Sequence, residues 1–260
     1  MPVDLSIVIV SFNARADLDR CLASVRDAPP SRAHEIIVVD NASTDGSADA
    51  ARRYANVRVI EAAANLGFAA GNNVGIRASS GANLLLLNSD TIVPPGALDG
   101  LLAQLDRHGD VAVVGPRIVD GLGRAELSFG DMVTPLAQLR QQRIARGDVD
   151  GHTRREHYPD WVTGACLLVR RADADAVGLL DERYFMYMED VDFCAAIRAR
   201  GRRVLFAPSV EVIHLRGRSA PSRAASWQLY HRSLLIFYRK HHPAWLPLLR
   251  LYLALRRADT

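Results

Sequence analysis

The sequence predicts an α/β fold in which a mostly parallel, twisted sheet carries helices on both faces. Three observations point there. Short β-branched or leucine-rich runs alternate with stretches of helical period, which implies parallel strands joined by right-handed crossovers. Several of those runs end on polar residues, the arrangement by which such sheets offer a ligand site at their carboxyl edge. Finally, 49% hydrophobic and 23% charged residues over a 260-residue chain supply a sizeable core and exclude a largely disordered chain.

Leu5 to Val10 is the first apolar run, closed by Ser11-Phe12-Asn13. Ala14 to Val25 follows with Leu18, Leu22 and Val25 at helical spacing. Glu35 to Val39 is a second strand, ending at Asp40 and the turn-rich Asn41-Ala42-Ser43-Thr44-Asp45-Gly46-Ser47 before a helix over Ala48 to Tyr54. Val57 to Glu61 and Leu84 to Leu87 read as the third and fourth strands, with a helix in the second half of Asn65 to Ser80. Gly96 to His108 is a helix and Val111 to Gly115 a strand. Arg140 to Asp160, rich in Arg, Asp and Gly, is expected to be a surface loop or lid. Trp161 to Val169 returns to strand character, Asp190 to Arg200 is a helix stopped by Gly201, and Val204 to Phe206 and Val210 to His214 are two short strands. Helices over Ala225 to His242 and Leu248 to Arg257 form an amphipathic tail. The expected organisation is one domain over 1–223, divided into a first half (1–115) and a second half (116–223), followed by a basic helical region over 224–260.

The composition narrows the setting. No run approaches the roughly 20 apolar residues that cross a bilayer, and Met1-Pro2-Val3-Asp4 lacks a basic leader region, so a cytosolic location is expected. Cys21, Cys166 and Cys194 lie far apart in the sequence and read as reduced, buried thiols. The net charge of +3 hides an asymmetry: nine basic and no acidic residues lie between Leu215 and Arg257, leaving −6 for the remainder. Basic and aromatic residues without acids suit an anionic membrane surface. A packed helix with a solvated basic face is the competing reading.

The polar strand ends carry the chemistry. No Gly-x-Gly-x-x-Gly follows the first strand and no Gly-x-x-x-x-Gly-Lys occurs anywhere, which removes the dinucleotide and P-loop readings. Asp40, ending a β-branched strand, is aimed to accept from the imide N–H of a uracil or thymine, or else it opens an Asx-turn. Asn88-Ser89-Asp90 delivers a carboxylate suited to Mg²⁺ or Mn²⁺ on a diphosphate, and His214 could add a nitrogen ligand; turn capping is the alternative for both. Glu189 and Asp190 open a helix after the aromatic Tyr184 to Met188 segment. The helix terminus favours their charge while repulsion and burial oppose it, so either could serve as a base or simply cap.

Six ordered segments together resemble family-2 glycosyltransferases, most nearly the bacterial rhamnosyltransferase-like branch. They are Ser6 to Asn13, Val38 to Ser47, Asn65 to Asn73, Leu87 to Asp90, Gly164 to Cys166 and Phe185 to Asp192. The resemblance implies a GT-A fold and an inverting, non-processive transfer of a sugar, with rhamnose favoured, from a dTDP- or UDP-sugar to a glycan or polyprenyl-linked acceptor in cell-envelope synthesis. It implies donor binding by Ser11, Asn13, Asp40, Asp45, Gly67, Asn72, Ser89 and Arg218. It further implies a Mg²⁺ or Mn²⁺ ion on Asp90 and His214, with Asp190 as base and Glu189 beside it. One departure stands out: where the family commonly has Asp-x-Asp, this chain has Asn88-Ser89-Asp90, one carboxylate fewer. The expected location becomes the inner face of the cell membrane. A sugar-nucleotide nucleotidyltransferase and a basic RNA-binding or scaffold protein are the two other readings; the first lacks its phosphate-binding loop, and no nucleic-acid partner is expected.

Overall fold

A computed structural model describes residues 2–215 and 223–258. Eleven strands and ten α-helices are found among them. The strands are β1 (Leu5–Ser11), β2 (His34–Asp40), β3 (Val57–Glu61), β4 (Asn83–Asn88), β5 (Thr91–Ile92), β6 (Val111–Val119), β7 (Ala125–Glu126), β8 (Phe129–Gly130), β9 (Trp161–Val162), β10 (Cys166–Arg170) and β11 (Arg203–His214). The helices are α1 (Arg15–Asp27), α2 (Ser47–Arg52), α3 (Gly67–Arg77), α4 (Ala97–Arg107), α5 (Pro135–Ala145), α6 (Val149–His152), α7 (Arg171–Ala176), α8 (Glu189–Ala199), α9 (Arg223–His241) and α10 (Leu246–Ala258).

The main sheet runs β3-β2-β1-β4-β10-β6-β11-β5, with β7 added beside β6. β3, β2, β1 and β4 are mutually parallel, as are β6 and β11. Between these blocks β10 is antiparallel to both β4 and β6, pairing Leu167 with Leu86 and Val169 with Val113. A strand from the second half of the chain thus zips the sheet together, so the two halves expected from the sequence share one sheet.

Period-2 alternation divides the core. Ile7, Ile9, Leu85, Leu87 and Leu168 face one side, where they pack with Leu18, Leu22 and Val25 of α1 and Leu98, Leu101 and Leu105 of α4. Val8, Leu84, Leu86, Leu167 and Val169 face the other, under Ala69 and Ile76 of α3 and Phe193 and Ile197 of α8. A third cluster joins Tyr184, Met188 and Val191 to Leu234, Phe237 and Tyr238 of α9 and Leu249 and Leu253 of α10. The basic C-terminal region is therefore packed on the domain along one of its faces.

Three expectations change. Arg140 to Asp160 is not a bare loop: α5, capped by Thr134 with Pro135 at its first position, extends to Ala145, and α6 follows. Trp161 to Val169 is two strands, because the chain turns through Thr163-Gly164-Ala165 between β9 and β10. Val204 to His214 is a single strand, whose pairing slips between Ala207 and Glu211, next to Pro208, which has no amide to give the ladder. Cys21, Cys166 and Cys194 are all buried, and burial pushes their thiols up, Cys21 to about 12. No helix among the described residues is long and apolar enough to cross a membrane.

Gly75 lets α3 lie flat on the sheet: a Cβ there would stand 2.4 Å from Val8 Cγ1 and 3.2 Å from Val39 Cγ2. Both valines are fully enclosed and have nowhere to move. Gly75→Ala is accordingly expected to cost about 1–3 kcal/mol, or about 2–12 °C of Tm, in a thermal melt; an unchanged Tm would contradict the close approach.

Candidate active site at the carboxyl edge of the sheet

The carboxyl ends of β1 and β2 lie side by side, with Ser11 opposite Asp40. Both side chains are buried, yet Ser11 Oγ and Asp40 Oδ1 have no hydrogen-bond partner among the described residues. Only Asp40 Oδ2 is engaged, by the Ser43 amide at 2.9 Å. Buried polar atoms are nearly always paired, so two orphaned oxygens on adjacent strand ends mark a place prepared for a ligand's donors. The flanking loop is fixed from within. Asn13 accepts from the Thr44 amide and its own amide donates to Ser43 Oγ, while Asp45 accepts from the Arg15 amide and from Ser47. Burial opposes the Asp45 charge, but those bonds hold its carboxyl below the usual range. In the structure Asn13 and Asp45 shape the loop around Asp40.

Asn41 carries the site across to the second half of the chain. Its amide donates to the Gly67 carbonyl at 3.0 Å, and the Phe68 amide donates to the Phe185 carbonyl at 2.7 Å. Gly67 has φ of +80°, and a Cβ there would fall 2.2 Å from that same Phe185 oxygen, so no other residue type fits. Asn72 lies buried on α3, its amide on the Phe68 carbonyl and its Oδ1 unpartnered.

Beyond Phe185 the chain passes through Tyr187 and Met188, both at φ of +69°, before α8 begins. Left-handed backbone costs about 1–3 kcal/mol per non-glycine residue and persists only where the surroundings enforce it. Asn13 and Ala42 are also left-handed, so four of the five non-glycine residues with positive φ belong to the loops of this edge. The strained turn places Glu189 and Asp190 at the first positions of α8. Asp190 Oδ2 accepts from the Gly164 amide at 2.9 Å and Oδ1 from Val191. Burial nevertheless raises its carboxyl above the ordinary range. Glu189 is buried with an unpartnered Oε2, and burial together with the neighbouring Asp190 charge raises it well above its usual value. Two adjacent carboxyls with raised pKa at a helix start are suited to moving a proton.

Asp90 follows β4, and His214 ends β11, where it pairs with Thr91. His214 Nε2 is 3.1 Å from Asp90 Oδ1, its Nδ1 is 3.6 Å from Glu126 Oε2 on β7, and the Asn88 amide stands 3.4 Å from the same Nε2. Burial alone would lower the imidazole, but the two carboxylates outweigh it and lift it to about 9. Ser89 sits half-buried between Asn88 and Asp90. The Ala165 carbonyl accepts from the Asn88 amide at 2.9 Å, so the turn after β4 abuts the Gly164 that holds Asp190. Asp40, Asp90 and Asp190 thus belong to one continuous hydrogen-bonded edge. Arg218 lies outside the described residues.

Sequence reading missed Asn41, Phe185, Gly164 and Glu126. Asn41, Phe185 and Gly164 lay inside motifs already singled out, but Phe185 and Gly164 act through backbone groups and Asn41 through a side-chain amide whose partner, Gly67, is 26 residues away. Glu126 had no signal, because a two-residue strand leaves no periodicity.

Comparison with known proteins follows the same lines. The family described as Glycosyl transferase family 2 matches residues 6–178. An N-acetylglucosaminyl-diphospho-decaprenol L-rhamnosyltransferase of Mycobacterium tuberculosis is 33% identical over 272 aligned residues, covering 93% of this chain and 86% of the relative. Among solved structures, the mannosyltransferase PcManGT of Pyrobaculum calidifontis, in complex with GDP-Man and Mn²⁺, superposes with a TM-score of 0.64 at 18% identity, covering 96% of this chain and 70% of that one. GalNAc-T7, with UDP, GalNAc and Mn²⁺, gives 0.66 at 18% identity, covering 85% of this chain and 45% of that one.

Glu189→Gln is expected to raise Tm at pH 8. A carboxyl whose folded pKa lies above its unfolded value contributes stability below the unfolded pKa and loses it as pH rises through the folded one. The gain should therefore shrink as pH falls toward about 4.3, the unperturbed glutamate value. Thermal melts across that range check it, and a variant no more stable than the wild type at pH 8 would contradict an unpaired, buried Glu189.

Proposed function

The chain belongs to glycosyl transferase family 2, in its rhamnosyltransferase-like part, and from that premise we propose that it transfers a deoxyhexose, rhamnose, from a dTDP- or UDP-sugar to a polyprenyl-linked acceptor, with inversion at the anomeric carbon. The observation that carries this reading is that Asp40, Asp90 and Asp190 lie along one sheet edge, with unpaired buried oxygens at Asp40 and Ser11 at one end of it and at Glu189 beside Asp190.

Residue roles follow from the geometry. Asp40 Oδ1, buried and unpaired, would accept from the imide N–H of the pyrimidine, with Ser11 Oγ beside it; a charged acceptor gives a stronger bond than a neutral one. Asn72 Oδ1, also unpaired, and the Gly67 backbone would line the path from the base toward Asp190, as would Ser89 on the side of Asp90. Asp190, carrying a raised pKa and steadied by the Gly164 and Val191 amides, would take the proton from the acceptor hydroxyl as that oxygen attacks. Glu189, protonated more readily still, would keep a second negative charge away from the base.

A divalent ion suits the Asp90 and His214 pair. Asp90 Oδ1 and His214 Nε2 stand 3.1 Å apart, and with the imidazole's extra proton displaced they would offer one oxygen and one nitrogen to a cation able to draw its other ligands from a diphosphate and water. Mn²⁺ accepts the nitrogen more readily than Mg²⁺ does. Such an ion, when bound, neutralises the charge that builds on the departing diphosphate.

The lipid-linked acceptor gives the C-terminal helices a purpose. α10 turns Leu249 and Leu253 inward, while Leu248, Leu251, Tyr252 and Leu255 are exposed, with Trp245 just before it. No acidic residue occurs between Glu211 and Asp259. An exposed apolar face on an acid-free basic segment is suited to lie on an anionic bilayer, which would hold the site at the surface where its acceptor is embedded.

Three experiments test the reading. dTDP or UDP at a hundredfold excess over Kd should stabilise by about 2.7 kcal/mol, about 5–11 °C of Tm, with a further rise on adding Mn²⁺ that Asp90→Asn removes, while stabilisation by purine nucleotides alone would overturn the Asp40 assignment. In transfer assays Asp190→Asn should cut kcat about 10²–10⁴-fold with dTDP affinity retained. For the membrane part, the protein should sediment with vesicles containing anionic phosphatidylglycerol and much less with phosphatidylcholine alone, and a Leu248→Ser/Leu251→Ser/Leu255→Ser variant should lose that binding while keeping transfer to a soluble acceptor analogue.

A further inference from the structure

Asp192 is buried in the first turn of α8, two residues after Asp190, and the proposed reaction gives it no role. Its carboxylate is held by three side chains. Lys240 Nζ, from the only lysine in the chain, donates to Oδ2 at 2.7 Å, His241 Nε2 stands 2.6 Å from Oδ1, and the buried Tyr184 hydroxyl donates to Oδ1 at 3.3 Å. Lys240 also reaches Asp181 at 3.0 Å. Lys240 and His241 both come from the last turn of α9, on the C-terminal side of the molecule. Further along the same helix, Ser233 Oγ donates to the Met186 carbonyl at 2.7 Å, and the Tyr230 ring meets Tyr187 edge-on at 6.2 Å.

These contacts bracket the strained turn. Met186 is held from one side and Asp192 from the other; between them lie Tyr187 and Met188 in left-handed backbone, and then the two acids of the site. A turn that L-residues disfavour relaxes unless its ends are pinned, and here α9 pins both. Packing at Phe237 and Tyr238 would hold α9 near α8 without selecting a side-chain geometry, whereas directional bonds to one carboxylate fix the rotation of the helix start that aims Asp190.

Resting on the transferase reading above, we propose that Asp192, clamped by Lys240 and His241, is a positioning residue that sets Asp190 for proton abstraction, making α9 part of the catalytic apparatus rather than only an attachment. Asp192 touches neither donor nor acceptor in this assignment; it acts through the turn and the helix axis.

The test compares kcat, dTDP affinity and Tm in the full-length protein. Lys240→Met, at a partly exposed position, should fold and should lower kcat about tenfold or more, since a displacement of order 1 Å can cost about 10²-fold; dTDP affinity should stay within about twofold of wild type. Asp192→Asn should act in the same direction, and Lys240→Arg, which keeps a cation in reach, should restore most of the rate. Leu234→Ala serves as the packing control: Leu234 is buried on the same helix, in the cluster that seats it, and is not one of the clamp residues, so the variant should lower Tm at least as far while keeping kcat. Lys240→Met with wild-type kcat would overturn the proposal, as would a loss of rate that Leu234→Ala reproduces at equal Tm. A wild-type protein that transfers no sugar would overturn the transferase reading as well, so the two failures are told apart by the wild-type control.

Discussion

One backbone hydrogen bond holds the site together: the Phe68 amide to the Phe185 carbonyl, 2.7 Å long, made at a position where only glycine can precede it. On one side of that bond lie Asn41 and, through it, the carboxyl edge of β1 and β2; on the other lie the strained Tyr187–Met188 turn and the acids of α8. Were residue 67 to carry a Cβ, the loops would separate by an ångström or more. The edge proposed to hold the donor and the proposed base would then no longer share a wall. Transfer chemistry depends on distances of that order, because the reacting atoms must meet within about 3–3.5 Å.

Electrostatics divides this edge into regions with opposite tasks. At Asp40 and Ser11 the chain leaves oxygens buried and unpaired, a cost that a ligand bringing its own donors removes. At Glu189 and Asp190 burial makes each carboxyl bind a proton more tightly than it would in water. At Asp90, Glu126 and His214 the excess of carboxylate runs the other way and keeps a proton on an imidazole that burial alone would strip. A pyrimidine, a hydroxyl proton and a cation are the three things these environments suit. The parallel sheet needs only to end its strands at one level to place the environments within one small sugar nucleotide.

The fold was legible wherever an element was long and its period clean. β1, β2, β4 and α1 follow directly from LSIVIV, EIIVV, LLLL and the Leu18-Leu22-Val25 spacing, and Asp40, Asp90 and Asp190 could be singled out because each interrupts or follows an apolar run. Where the reading went astray, a competing effect was at work. α5 carries too many arginines and glutamines for a visible apolar face, so its helix is announced only by Thr134-Pro135. β11 was divided because Pro208 bends rather than ends it. β10, reading as an ordinary buried strand, gave no hint that it runs against its neighbours, since strand direction is set by topology and not by composition. The partners of Asp192 were equally hidden: Lys240 and His241 are 48 and 49 residues away, and nothing in a linear pattern joins them.

The motif at Asn88-Ser89-Asp90 looks deficient only along the sequence. Replacing a first carboxylate by Asn88 removes one negative charge from the turn after β4, but β7 restores one from a different strand, because Glu126 Oε2 stands 3.6 Å from His214 Nδ1 while Asp90 takes Nε2. Were a cation to displace the imidazole's extra proton, a carboxylate behind the ring would fix which nitrogen faces forward and make that nitrogen a better donor. Asn88, with its amide 3.4 Å from the same nitrogen, fills the remaining space without adding charge. The site thus balances its charge by spatial neighbours rather than by adjacent residues. That is why a missing acid in a short motif is weak ground for denying a cation: what a metal meets is the local field, and strands distant in sequence contribute to it as fully as the residue two positions before.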